Sequence, residues 1–400
     1  MDVNERKSPR RLYMDNAATS FPKPPAVLAA MTRYTNQIGA SAGRGAYEEA
    51  IETGSLIAEC RRRLCRLFNG ENPDHFVFGL NCTDALNQAI KGLIDADHGG
   101  HAICSAIDHN SILRPLNALA DRNWARVTRV AIDPRTGLVD PNDIVKAIRP
   151  DTKLIALTHA SNVTGTVQPL REVGQICRRR EIPFIVDAAQ SAGHVPIDVQ
   201  ADCIDLLAAP GHKGLLGPLG TGFLYIRPGL EKTLMPLKEG GTGSQSEQDR
   251  QPDFMPDRFE SGSHNAIGII GLSEGVKWVL DKGIDAIALH EKELVCTFLE
   301  GIGGVEGLTL YGPSGVKNRV GVFSVRIEGF APADLAAVLE THYGILTRPG
   351  IHCAPLAHQS LGTMQFGGTT RFSFGPFLCA ADVSYATDAL AEIAMSRAAV

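Results

Sequence analysis

Between about residues 75 and 226 the chain alternates short β-rich runs with helical ones, and no other feature constrains its fold as strongly. "HFVFG" precedes "TDALNQAIKGLI", "HAICSAI" precedes "SILRPLNALADR", and "KLIALTHA" precedes "REVGQICRRR"; "PFIVDAA" then leads to "DLLAAPGHK" and "TGFLYI". Strands separated by helices predict an α/β domain with a mostly parallel sheet covered on both faces, its chemistry gathered in loops at the strand C-termini. A Gly/Ser/Pro-rich stretch follows at 238–263, and after it a long helical pattern over about 265–300. Beyond that, strand-like "GLTLYG" and "RVGVFSVRI", helical "PADLAAVLETHYG", the loop "TRPGIHCAP", strand-like "TTRFSFG" and a helical tail from about 380 predict a small α+β domain. The expected division is a large domain over 1–262, with an N-terminal arm of about residues 1–25 packed on the small domain. A linking helix and the small domain fill 263–400.

A chain of 400 residues, 44% hydrophobic and with a formal net charge of −5, has material for two cores and no general affinity for nucleic acid. No apolar run approaches the ~20 residues of a membrane helix. Nine scattered cysteines and an N-terminus, "MDVNERKSPRR", with no apolar segment after it point to a reducing, cytoplasmic setting. Cys60 and Cys65 lack zinc-site spacing, so packing is their expected role and no metal is expected. The arginine runs at 61–63 and 178–180 read as solvated helix faces without functional weight.

Several strand ends carry polar residues in unusual company. Asp187 closes a run that reads as a buried strand; it is either a helix N-cap or a carboxylate that needs a partner, because burying it alone costs several kcal/mol. Lys213 follows 26 residues later in "AAPGHKGLLGPLGTG", with no acidic neighbour. It is either a solvated loop lysine or a desolvated amine able to form an imine with an aldehyde cofactor. An acid and a lysine at neighbouring strand ends fit pyridoxal phosphate, the acid keeping the pyridine nitrogen protonated and the lysine making the imine. Asn81, Cys82 and Thr83 turn a strand into a helix N-terminus suited to an anion. His109 and Asn162 follow other strands, available to a ring face and a ring hydroxyl respectively, or simply to solvent.

The motifs "LYMDNAATSFPKP", "HASNVTGT", "VDAAQSAGH", "GHKGLLGPLGTG", "FESGS" and "RPGIHCAP" stand in the order found in class V aminotransferase-like enzymes, over about residues 12–375. Within that family the chain resembles cysteine desulfurases and selenocysteine lyases. The resemblance implies the pyridoxal-phosphate-dependent transferase fold, that of aspartate aminotransferase (fold type I). It implies that Lys213 forms the imine, Asp187 faces the pyridine nitrogen, His109 stacks on the ring, and Asn162 and Gln190 contact the ring oxygen. Thr83, the Cys82 backbone and His212 would hold the phosphate, completed across a homodimer by Ser263 of the second subunit.

Cys353 then becomes the candidate sulfur-accepting nucleophile. Arg348 and His352 stand beside it in sequence, and their positive charge is expected to favour the thiolate. Arg371, on an apolar strand, is assigned the α-carboxylate of an amino acid, with Asn16 and Arg348 also expected at the substrate. The implied reaction takes L-cysteine to L-alanine and leaves a persulfide on Cys353, for delivery to an acceptor protein or small thiol. Other expectations are selenocysteine lysis, breakdown of a cysteine derivative, another class V reaction or, in a different class, a non-catalytic sulfur-assembly scaffold. Three departures bear on the substrate. Pro210 stands where a phosphate-binding hydroxyl is usual, Asn81-Cys82-Thr83 replaces a loop with two consecutive threonines, and Ile351 takes the place of a second histidine.

Overall fold

The structure, a computed structural model, describes residues 11–43, 45–94, 99–245 and 247–397. The strands are β1 (Leu12–Tyr13), β2 (Phe76–Gly79), β3 (His101–Ser105), β4 (Arg126–Val130), β5 (Thr152–Thr158), β6 (Phe184–Asp187), β7 (Leu206–Pro210), β8 (Gly222–Ile226), β9 (Leu308–Tyr311), β10 (Val322–Ile327), β11 (Ile345–Leu346), β12 (Arg348–Gly350) and β13 (Thr369–Ser373). The helices are α1 (Pro25–Arg33), α2 (Glu48–Leu67), α3 (Cys82–Gly92), α4 (Asn110–Asp121), α5 (Pro141–Ala147), α6 (Leu170–Arg179), α7 (Ala266–Lys282), α8 (Ile284–Ile302), α9 (Pro332–Tyr343), α10 (Pro355–Ser360) and α11 (Ala380–Arg397).

Seven strands form one sheet in the order β2-β8-β7-β6-β5-β3-β4, and β8 alone runs against the others. The reason lies in the connection. Residues 211–221 are short and rich in glycine and proline, leaving no room for the crossover helix that a parallel return requires. β5, β6 and β7 are apolar almost throughout because both faces are covered. One face packs on α2, α6 and α7 through residues such as Ile57, Val173 and Leu272; the other packs on α3 and α4 through Leu86, Ile90 and Leu116.

The helical pattern over 265–300 is two helices, broken at Gly283, whose φ of +81° suits glycine. Ala266, Ile269, Leu272 and Val276 of α7 enter the large-domain core, so by packing that domain extends past residue 262. α8 instead buries Leu294 and Phe298 with α9, α11 and the antiparallel sheet β12-β13-β10-β9 of the small domain. The N-terminal arm is described from residue 11 and pairs there with the small domain, Leu12 beside Ile345 and Tyr13 beside Leu346; its first ten residues lie outside the described residues. Among the described residues no helix is long and apolar enough to cross a membrane.

The first arginine run is not a uniformly solvated face. Arg61 falls on the inner stripe of α2 with Ile57, Cys60 and Leu64, and is only 5% exposed. Its guanidinium forks onto Glu260, with Nη1 2.7 Å from Oε1, while Glu260 Oε2 meets His264 Nε2 at 2.6 Å. Arg63 reaches Glu274 of α7 at 2.8 Å. Cys60 and Cys65 are buried packing residues, and no group of metal-ligating side chains occurs among the described residues.

Candidate active site

A cavity opens where the parallel strands end, between the N-terminus of α3 and the loops after β3, β5, β6 and β7. Asn81 caps α3: its Oδ1 accepts from Asp84 N–H at 2.9 Å, while Asp84 Oδ2 accepts from Leu80 N–H at 3.1 Å. The first intrahelical bond is Ala85 N–H to Asn81 O, which leaves the Cys82 and Thr83 N–H groups ahead of it at the cavity wall. β8 passes directly beneath this turn, and at Gly222 a Cβ would lie 2.6 Å from the Asn81 backbone.

Asp108 fixes the adjoining turn. It accepts from Ser105 N–H at 2.6 Å and from Thr158 N–H at 2.7 Å, joining the ends of β3 and β5, and burial pushes its carboxyl up to about 7 despite those bonds. The next residue is His109, whose Nδ1 accepts from Ser111 N–H at 3.1 Å. A neutral ring so held carries its proton on Nε2. Burial pushes the His109 pKa down, so the ring is neutral near pH 7.

Asp187 ends β6 and is 2% exposed, its Oδ1 accepting from Ala189 N–H at 2.9 Å and lying 3.4 Å from Cys82 Sγ. The loop after it meets the loop after β7 backbone to backbone. A Cβ on Gly193 would fall 2.3 Å from Gly214 O, and one on Gly214 would fall 2.4 Å from Ala192 O. Those two glycines let the Asp187 and Lys213 segments share one cavity. Desolvation pushes the Lys213 ammonium below its ordinary value, opposed by Asp187 and aided by Arg371, which favours a neutral, nucleophilic amine. His212 is pushed down to about 4 by burial and by the charges of Lys213 and Lys23, and its buried Nδ1 has no hydrogen-bond partner among the described residues.

The small domain packs against this site, although neither Arg371 nor Cys353 is among the residues that line the inner cavity. Arg371 on β13 is 3% exposed, donating from Nη1 to Asn162 O at 3.2 Å and from Nη2 to Asp15 Oδ1 at 2.7 Å. Asn162 Nδ2 donates to His352 O at 2.5 Å, and Asn110 N–H donates to Cys353 O at 2.8 Å. These bonds dock the Cys353 loop against the residues that flank His109 and Arg371. Cys353 is exposed and borders a second, outer cavity of about 320 Å³ that shares Thr83, His109 and Ser111 with the inner one.

The "Aminotransferase class-V" family profile matches residues 12–385. A probable cysteine desulfurase of Methanothermobacter thermautotrophicus is 34% identical over 391 residues, covering 96% of this chain and 94% of that protein. The chain belongs to the class V aminotransferase family. A cysteine desulfurase of Escherichia coli O157:H7 is 32% identical over 348 residues, 86% of this chain and 84% of its own length. The apo structure of a cysteine desulfurase from Thermococcus onnurineus superposes with a TM-score of 0.89 at 31% identity, over 96% of this chain and 95% of that one.

Within this class V chain the structure separates the sequence candidates. Lys213, Asp187, Gln190, His212, Asn162, Cys82, Thr83 and His109 line the inner cavity; Pro210 lines it too, with no hydroxyl to offer. Gln190 also ties the arm to the site, its Nε2 donating to Ala17 O at 2.9 Å. Asn16 is engaged with backbone: its amide donates to Ser373 O at 3.2 Å and accepts from Phe21 N–H at 3.2 Å. Arg348 pairs in register with Arg371 on the neighbouring strand, exposed and outside the inner cavity's lining. Ser263 lines a separate cleft with Glu260 and Lys238.

The expected positive charge on His352 requires correction. The ring is 6% exposed and lies near Arg371, so burial and that guanidinium push its pKa well below the ordinary value and leave it neutral. Two residues escaped sequence reasoning. Asp15 neutralises Arg371 from 356 positions away, and the Lys23 ammonium rests on His212 O at 2.7 Å and Ser20 Oγ at 2.6 Å. The only advance signal was a buried arginine in need of an acid, a need that sequence reasoning assigned to the substrate alone.

Proposed function

We propose that this class V enzyme is a pyridoxal-phosphate-dependent cysteine desulfurase, taking L-cysteine to L-alanine and holding the sulfur as a persulfide on Cys353. The docking of the Cys353 loop beside Asn110 and Asn162 carries this reading, because its exposed thiol borders an outer cavity that shares Thr83, His109 and Ser111 with the Lys213 cavity.

The inner cavity fits the cofactor. The unpartnered His212 Nδ1, the Thr83 hydroxyl and the leading N–H groups of α3 would hold the phosphate; Asp187 would hold the ring nitrogen and His109 the ring face, with Asn162 and Gln190 at the ring oxygen. Pyridoxal phosphate, when bound, supplies an electron sink for charge developing at the substrate's Cα. Arg371 binds the substrate carboxylate with its planar fork. The neutral Lys213 Nζ takes the Cα proton and holds it for return to the product. Cys353 Sγ attacks the substrate sulfur as a thiolate, the new S–S bond forming as the Cβ–S bond breaks. The pair of that broken bond stays with the carbon skeleton, where Cβ takes up a proton to complete the methyl group of alanine. A homodimer, with Ser263 serving the other subunit's site, is part of this reading, as is a reducing cytoplasmic setting for the unpaired cysteines.

The test compares alanine formation from L-cysteine and from L-selenocysteine by wild type and Cys353→Ala. The substitution should abolish cysteine turnover and leave the cofactor's absorbance in place. Equal cysteine turnover by both proteins would remove Cys353 from the chemistry, and a preference for selenocysteine that survives the substitution would point to the lyase.

A further inference from the structure

Resting on the desulfurase reading, the structure leaves open how sulfur departs from Cys353. The thiol sits on a loop whose carbonyls at His352 and Cys353 are both tied to the large domain, so an acceptor must come to it. What it would enter is the outer cavity, about 320 Å³, at the small end of the ligand-pocket range of roughly 300–1,000 Å³ and suited to a molecule of a few hundred daltons. Its floor is Pro115 and Ala118 of α4, and Asn87 and Lys91 come from α3. Lys91 and Arg114 bring two positive charges, and among the described residues neither has an ion-pair partner. Arg114 is also close enough to push the His109 pKa downward. Two cations without an ion-pair partner among the described residues, beside an apolar floor and with a nucleophilic sulfur at the edge, define the chemistry of the visitor.

We infer that this outer cavity is an acceptor site for an anionic low-molecular-weight thiol, its carboxylates drawn by Lys91 and Arg114 while its sulfur reaches Cys353. The transfer needs no outside oxidant or reductant. The acceptor thiolate attacks the outer sulfur of the Cys353 persulfide, a new S–S bond forms on the acceptor, the old S–S bond breaks, and Cys353 leaves as the thiolate, ready for the next cysteine.

The test uses holoenzyme loaded with one equivalent of L-cysteine and freed of excess substrate. Loss of the extra sulfur from the Cys353 peptide is followed with mercaptosuccinate and with 2-mercaptoethanol, compared per thiolate. At low salt the dianionic thiol should clear the persulfide about tenfold faster and with saturation, and added salt should narrow the gap. Lys91→Gln with Arg114→Gln should remove most of that preference while alanine formed in the first turnover stays at the wild-type level. Equal clearance by the two thiols would overturn the inference, as would a preference untouched by the double substitution, or a persulfide that no small thiol clears. A first turnover yielding neither alanine nor persulfide would instead overturn the desulfurase reading, and the acceptor site with it.

Discussion

Arg371, the guanidinium proposed to receive the substrate carboxylate, already holds a carboxylate of its own chain: its Nη2 lies 2.7 Å from Asp15 Oδ1. Asp15 lies just past β1 on the arm that pairs with β11, and it bridges Ser373 at the end of β13, so the two charges meet across 356 positions of sequence. On the proposed binding mode a substrate carboxylate shares that guanidinium with Asp15. Arg371 keeps a second anchor at Asn162 O, which holds it in place when the acid is lost. Asp15→Asn is therefore expected to lower KM for L-cysteine by roughly fivefold, equivalent to about 1 kcal/mol for a partly exposed pair, with slower release of alanine reducing kcat. Steady-state kinetics checks this, and a raised KM would show that Asp15 aims Arg371 and does not compete for it.

Lys23 has no carboxylate partner among the described residues, and burial pushes its ammonium down to about 8. The unfolded chain therefore binds more protons at this group than the native one between about pH 8 and about pH 10.5. Stability gained from this residue rises across that window as the native state escapes the cost of the buried charge. Lys23→Met should flatten that rise, measured as the difference in urea midpoint between the two proteins at pH 7.5, 9 and 10.5. It should also loosen the peptide before Lys213, seen as faster loss of bound cofactor from the holoenzyme. A parallel pH dependence in the two proteins would contradict the assignment.

Burial raises the Glu260 carboxyl, but Arg61 and His264 outweigh it and hold the group down to about 2. Its contribution to stability is complete above about pH 4.5 and is lost as pH falls from there towards 2. Glu260→Gln leaves Arg61 buried without its charge partner, at an expected cost of about 3–5 kcal/mol at neutral pH. Thermal denaturation from pH 3 to 7 checks both effects: the substituted protein should melt lower at pH 7, and the gap should close towards pH 3.

Most of the inner cavity was legible in the sequence because a parallel sheet delivers its loops to one edge. Asp187, Asn162, His109 and Lys213 all follow predicted strands, and strand ends are readable from local pattern. The reversal of β8 was readable in principle from the short, glycine-rich connection. Asp15 and Lys23 were not, since each acts on a partner nearly two hundred or more positions away and nothing local marks the encounter. Arg61 shows the same limit, because a run of three arginines looks solvated until the helix phase turns one inward onto Glu260. Asn16 and His352 erred in the opposite direction: residue types suited to chemistry are engaged, respectively, by backbone hydrogen bonds and by burial.

Cys353 is proposed to take the sulfur of L-cysteine, and the mass of the Cys353 peptide after one turnover tests this most directly. Holoenzyme mixed with one equivalent of L-cysteine, quenched with a thiol-alkylating reagent and digested, should show that peptide carrying one added sulfur atom, in step with one alanine per active site. Alanine formed with free sulfide in solution and an unmodified Cys353 would contradict the account.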